Sequence, residues 1–267
     1  MNLKFGIEIE FYGVKYTKVI DELRNAGIAV ADYNGYTHEV IPQWKITTDS
    51  SVTGADTGLY RGLELVSPIL YDDEGLEELE IVYSVLNKLG AKVDKTCGTH
   101  VHFDIAEFTY NNVKSFINLY KHYQPVINYL LPKSRRDNPY CNQIRNTVIK
   151  RINDYHETPR KEWDMRRLAN IIGTRYSVIN LSSYLKYGTL ELRQHGGTTE
   201  FEKMEAWIVL MYQLLQFAET NNFTVSSTRG ATSTYKNLNQ LLEKANLTDT
   251  IIADFITARF KHFKEVV

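Results

Sequence analysis

Four short segments of this 267-residue chain alternate apolar side chains with acids or imidazoles, and that pattern restricts the fold more than any other feature. They are Gly6-Ile7-Glu8-Ile9-Glu10-Phe11, Gly62-Leu63-Glu64-Leu65-Val66, Thr99-His100-Val101-His102-Phe103-Asp104 and Thr189-Leu190-Glu191-Leu192-Arg193. Successive side chains of a strand point to opposite faces, so each segment reads as a strand with one apolar face and one ionisable face. A sheet built from them has a second face that is either solvated or engaged with something of opposite charge.

Between and after these segments the apolar spacing becomes helical. Helices are expected over 16–26, 73–90, 109–131, 199–219, 236–246 and 248–264, with a further short strand at 44–48. Pro125 lies inside the third of these helices and is expected to kink or split it, because it lacks the amide that the ladder needs. Residues 176–182 and 188–194 read as two strands joined around Tyr187-Gly188, and the basic segment 133–170 reads as irregular. Strands and helices do not alternate regularly. The expected fold is therefore α+β, with a largely antiparallel sheet. A single domain over 1–267 is expected, with a basic excursion at about 133–170 and a helical C-terminal part at about 199–265.

Charge and cysteine usage exclude several classes. The balance of 31 basic against 32 acidic residues gives no basis for a nucleic-acid partner. No apolar run approaches the roughly 20 residues that span a bilayer, and the N-terminus lacks the apolar core of a secretory signal. Cys97 and Cys141 are too few for a disulfide framework or a zinc ribbon. The expectation is a soluble, cytoplasmic protein with no membrane partner.

Each polar position has a plain reading and a chemical one. Glu8 and Glu10 share a face and repel unless a cation or proton lies between them; alone, such a pair also fits a solvated strand. His100 and His102 are either surface histidines or two imidazoles offered to a metal or phosphate. Glu191 and Arg193 form a simple ion pair, or join a cation ligand to a phosphate-binding guanidinium. Glu64 is an edge-strand acid or a buried one that needs a partner. Asp49, in the loop Asp49-Ser50-Ser51, is a turn residue or a substrate-contacting carboxylate. Basic residues of 133–170 form a solvated excursion or a flap over an anion, with Arg175 the preferred single contact beyond it. Taken together, Glu8, Glu10, Glu64 and Glu191 gather about four negative charges on one face, which destabilises a fold without divalent cations. Oxygen-rich ligation with one imidazole suits Mg²⁺ or Mn²⁺ better than zinc.

In order along residues 3–207, the motifs G-x-E-x-E, G-L-E-L-V-S-P, G-T-H-V-H, Arg175-Tyr176…Asn180-Leu181, and T-L-E-L-R followed by H-G-G-T resemble the amidoligases. That family lies in the glutamine synthetase and glutamate–cysteine ligase group of carboxylate–amine ligases. The resemblance implies a curved antiparallel sheet forming a bowl-like active site, with helices on its outer face. It implies ATP as co-substrate, with small-molecule or peptide acids and amines as partners. By position, Glu8, His100 and Glu191 resemble ligands of the cation that holds the nucleotide phosphates, and Glu10 and Glu64 those of the substrate-side cation. His102 and Arg193 resemble phosphate contacts, and Asp49 a loop carboxylate near the amine. One further substrate-side acid is not placed securely; Asp56 is a candidate by position. An ATP-dependent phosphotransferase, a non-catalytic nucleotide- or peptide-binding protein and, more distantly, a zinc hydrolase stay open. Oligomeric state stays open too.

Overall fold

The expected alternating segments form strands, and the computed structural model describes them within residues 2–31, 40–54, 62–225 and 230–265. Among these residues the protein is a mixed α+β fold whose strand pairings are mostly antiparallel. It divides into two compact units, residues 1–103 with 195–205, and residues 104–194 with 206–267.

In the first unit, strand β1 (Lys4–Phe11) is central. It pairs antiparallel with β4 (Leu63–Val66) on one side and β6 (Thr99–Asp104) on the other, and its first residues also meet β5 (Leu70–Tyr71). Beyond β4 lie β3 (Trp44–Thr48), antiparallel, and then the short parallel β2 (Val30–Ala31). Ile7, Ile9, Phe11, Leu63, Leu65, Val101 and Phe103 are all buried, as period-2 alternation requires. Helix α1 (Tyr16–Asn25) buries Val19, Ile20 and Leu23, and α2 (Asp72–Lys88) buries a stripe that includes Leu79, Val82 and Leu86. Trp44 Nε1 donates to Glu78 Oε1 of α2 at 2.6 Å, which puts α2 on the side of β3 opposite Lys45 and Thr47. Gly27 stands at φ +85°, a left-handed stop just past the end of α1.

The second unit is mainly helical. Helix α3 (Tyr110–Ile127) is capped reciprocally by Thr109 and Asn112, and buries Val113, Phe116, Ile117, Tyr120 and Tyr123 as expected. Pro125 does not split it: the helix runs on to Ile127 and tightens into a 3₁₀ turn at Asn128–Leu130. A proline this near the end removes one bond from a ladder about to stop. The segment 133–170 is not irregular either, for it holds α4 (Asn146–Asp154) and α5 (Lys161–Ile172), which pack against α3. Their apolar stripes are short and diluted by basic residues, which hid them. Strands β7 (Ile179–Asn180) and β8 (Thr189–Leu192) pair antiparallel across a helical turn, α6 (Tyr184–Tyr187), closed by Gly188 at φ +70°. The C-terminal helices are α7 (Phe201–Thr220), α8 (Tyr235–Lys244) and α9 (Ile251–Glu265). No described helix is long and apolar enough to cross a membrane.

Candidate metal centre

Register decides which side chains meet. Across β1 and β6, Glu8 stands opposite His100 and Gly6 opposite His102; across β1 and β4, Glu10 stands opposite Glu64. Directly opposed antiparallel residues share a face with Cβ atoms about 4.5–5.5 Å apart. The first unit therefore gathers Glu8, Glu10, Glu64, His100 and His102 on one face, with the buried aliphatic side chains on the other.

His100 Nδ1 donates to Glu8 Oε2 at 2.9 Å, and His102 Nε2 lies 3.4 Å from Glu8 Oε1. Burial opposes ionisation of Glu8, but the two imidazoles outweigh it and hold this carboxyl well below the usual range. Glu10 is 7% exposed, and its Oε2 accepts the Gly98 amide at 2.6 Å. Its Oε1 is 3.8 Å from His100 Nε2. With Nδ1 bonded to Glu8, the His100 ring turns Nε2 towards Glu10, a ligand atom oriented from behind by a carboxylate.

The acids fall into two overlapping groups. Glu8, Glu64 and His100 each offer a ligand atom within 4.8 Å of the others, and so do Glu10, Asp49 and Glu64. Glu64 belongs to both. Asp49, expected near the amine, thus stands with Glu10 and Glu64. Its loop is tight: Asp49 N–H donates to Gly62 O, and a Cβ on Gly62 would lie 2.4 Å from Asp49 O. Only glycine permits that approach. The donor set of carboxylate oxygens and one imidazole fits Mg²⁺ or Mn²⁺, and a buried Thr47 hydroxyl on this face has no hydrogen-bond partner among the described residues. Asp56 lies outside the described residues.

Two residues of this face escaped the sequence reading. Lys45 and Thr47 stand opposite Val66 and Glu64 across β3 and β4, and both are buried. The alternation Trp44-Lys45-Ile46-Thr47 was the signal that placed them there.

The other expected residues lie in the second unit. Glu191 on β8 is 4% exposed, accepts from Asn180 Nδ2 at 2.6 Å and pairs with Arg193 Nη1. Arg135, 4% exposed, donates through Nη2 to the Arg193 carbonyl at 2.6 Å and through Nε to that of Gln194 at 3.2 Å. Its role was not legible in a run of ten basic residues. Arg175 is exposed, with its guanidinium 5.0 Å from the Tyr176 ring centre and 3.0 Å from the Tyr176 hydroxyl. The H-G-G-T segment, in the first unit, pairs its backbone with Cys97 to Thr99: the Thr99 amide donates to His195 O and the Gly197 amide to Cys97 O, and a Cβ on Gly197 would lie 2.5 Å from Cys97 Cβ. Thr198 Oγ1 accepts from the Glu200 amide just before α7.

A mixed α+β fold with a carboxylate–imidazole face able to ligate hard cations defines a class of site rather than a reaction. The family model described as "Putative amidoligase enzyme" matches residues 1–215, and the chain belongs to that family, whose members are ligase-type enzymes forming amide bonds. No curated protein matches the chain by sequence.

Proposed function

We propose that this protein joins a carboxylate to an amine at the expense of ATP, through an acyl phosphate. The observation that carries the reading is the pair of ligand groups sharing Glu64. A nucleotide end and an acid end joined by one carboxylate suit phosphoryl transfer between two anions. Glu8, His100 and Glu64 would hold the nucleotide-side cation, and Glu10, Asp49 and Glu64 the substrate-side one. Bound Mg²⁺ or Mn²⁺ would supply charge neutralisation at the phosphate oxygens.

The remaining roles belong to the chain. His102, Arg175 and Arg193 contact the phosphates, Arg193 through a planar guanidinium suited to phosphoryl oxygens. The substrate carboxylate oxygen attacks the γ-phosphorus and ADP departs. The amine nitrogen then attacks the acyl carbon, phosphate leaves, and Asp49 accepts the proton released from nitrogen. Glu8, kept ionised by its imidazole partners, holds His100 in one orientation through both steps.

Mass spectrometry of products formed from ATP, Mg²⁺ and a pool of acids and amines tests the reading. An amide forms only with ATP, and ¹⁸O placed in the acid appears in the released phosphate. A phosphorylated product without amide would identify a phosphotransferase instead. No nucleotide binding by calorimetry with Mg²⁺ or Mn²⁺ present would remove the proposal altogether.

A further inference from the structure

The second unit contains an open cavity of about 550 Å³ that includes none of the residues assigned above. Three basic side chains line it, Lys121 from α3, Arg136 from the turn after α3, and Arg145 at the head of α4, against a single acid, Asp137. That volume falls within the roughly 300–1,000 Å³ of small-ligand sites.

Its framework is built rather than incidental. Gln124 is 4% exposed; its Nε2 donates to Gln143 Oε1 at 2.9 Å and its Oε1 accepts the Ile144 amide at 3.0 Å. Gln143 donates in turn to the Arg136 carbonyl. The Arg136 guanidinium is itself fixed: it stacks 4.4 Å from the Tyr129 ring centre, and Nε and Nη2 bond the carbonyls of Leu131 and Phe263. A cation fixed in advance loses little conformational freedom when an anion arrives.

Lys121 gives the second, independent sign. It is half-buried, its ammonium makes no hydrogen bond or ion pair among the described residues, and burial pushes its pKa down. A partly desolvated cation without a counterion carries a cost that a bound anion relieves. At the cavity edge α4 begins without a side-chain cap, so its first amides add a weak positive pole beside Arg145.

We infer that this cavity is a binding site for a small oxyanion carrying two or more negative charges, of the phosphate or dicarboxylate type. Lys121, Arg136 and Arg145 supply the charge, and the glutamine framework fixes the backbone around them. The inference does not rest on the ligase reading, since it concerns binding alone.

Calorimetric titration in EDTA buffer, with inorganic pyrophosphate in one arm and glutarate in the other, tests it. Chelation removes any route through the cation ligands of the first unit. At least one probe binds, and affinity falls as salt rises. The double variant Lys121→Gln/Arg145→Gln, which spares the stacked Arg136, weakens binding by about tenfold or more, the loss expected for charged hydrogen bonds. Glu64→Gln leaves it unchanged. Pyrophosphate alone binding identifies a phosphate site, and glutarate alone a dicarboxylate site. Binding of neither, equal binding by the double variant, or loss in Glu64→Gln would each overturn the inference.

Discussion

Glu10 stands directly opposite Glu64 across the β1–β4 pairing, and each places a carboxylate oxygen within 4.8 Å of the other. Like charges opposed on adjacent strands destabilise a sheet unless something lies between them. Since Glu64 serves both ligand groups, Glu64→Gln lowers Mn²⁺ affinity by at least about 10–100-fold, the loss that even an outer-shell partner produces. The same variant melts higher than the parent protein in EDTA. Mn²⁺ titration by electron paramagnetic resonance and a thermal melt check both signs; unchanged affinity would detach Glu64 from the centre.

Cation occupancy should be visible in stability itself. Free Mg²⁺ or Mn²⁺ at 100 times its dissociation constant stabilises the native state by about 2.7 kcal/mol, and the midpoint rises with concentration. Calorimetric melts with and without EDTA measure the shift. Ca²⁺, with its longer bonds and higher coordination number, is expected to support less turnover than Mg²⁺.

Gly62→Ala alters no charge and acts only through the space beside Asp49. Its methyl would lie 2.4 Å from Asp49 O and 2.5 Å from Val52 Cβ, so the Asp49 loop must move. The expected cost is about 1–3 kcal/mol. Urea unfolding reports that loss, and Mn²⁺ affinity falls with it because Asp49 is displaced from Glu10 and Glu64. A stable variant with unaltered affinity would refute the link.

Arg135 bonds two carbonyls at the end of β8 and has no carboxylate partner among the described residues. Arg135→Met leaves both acceptors buried and unsatisfied, at about 1–3 kcal/mol each. The Michaelis constant for ATP rises at the same time, because the Arg193 backbone loses its anchor. Arg135→Lys restores part of the stability but less of the ATP affinity, since a single ammonium cannot hold both carbonyls.

Burial pushes the Cys97 thiol up to about 12, with the charges of Asp94 and Glu10 adding to it. The ordinary value is 9.0. Above it the unfolded chain gives up a proton that the native state keeps, so this thiol's stabilisation is complete below pH 9 and is lost progressively towards pH 12. Urea midpoints between pH 8 and pH 10.5, roughly spanning the start of that window, fall more steeply for the parent than for Cys97→Ala. Equal slopes would show that the thiol is not perturbed.

The site was legible wherever two-residue alternation carried it. Glu8, Glu10, Glu64, His100 and His102 could be put on one face from spacing alone, because a strand has only two faces. What spacing could not supply was register, and register joins Glu10 to Glu64 and makes Glu64 common to both groups. Asp49 reaches them through a loop whose path depends on a glycine 13 positions later, a relationship no local pattern encodes. Lys45 was legible in principle, since Trp44 and Ile46 fix the core face of β3. The helices α4 and α5 were lost because their stripes, Ile149 with Ile152 and Met165 with Leu168 and Ile171, are short and set among basic residues. Pro125 illustrates the converse: the proline signal was real, but its position near the helix end removed most of its effect.

The central position of β1 has a kinetic consequence. Its backbone is bonded to a neighbour on each side, so the amides of Ile7 to Phe11 have no local route to solvent and should exchange hydrogen only when the whole unit opens. Glu8 and Glu10 are therefore held for the native lifetime of the fold, whereas Asp49, on a loop, can leave and return within it. Exchange of a bound cation would then be timed by the loop and not by the strand.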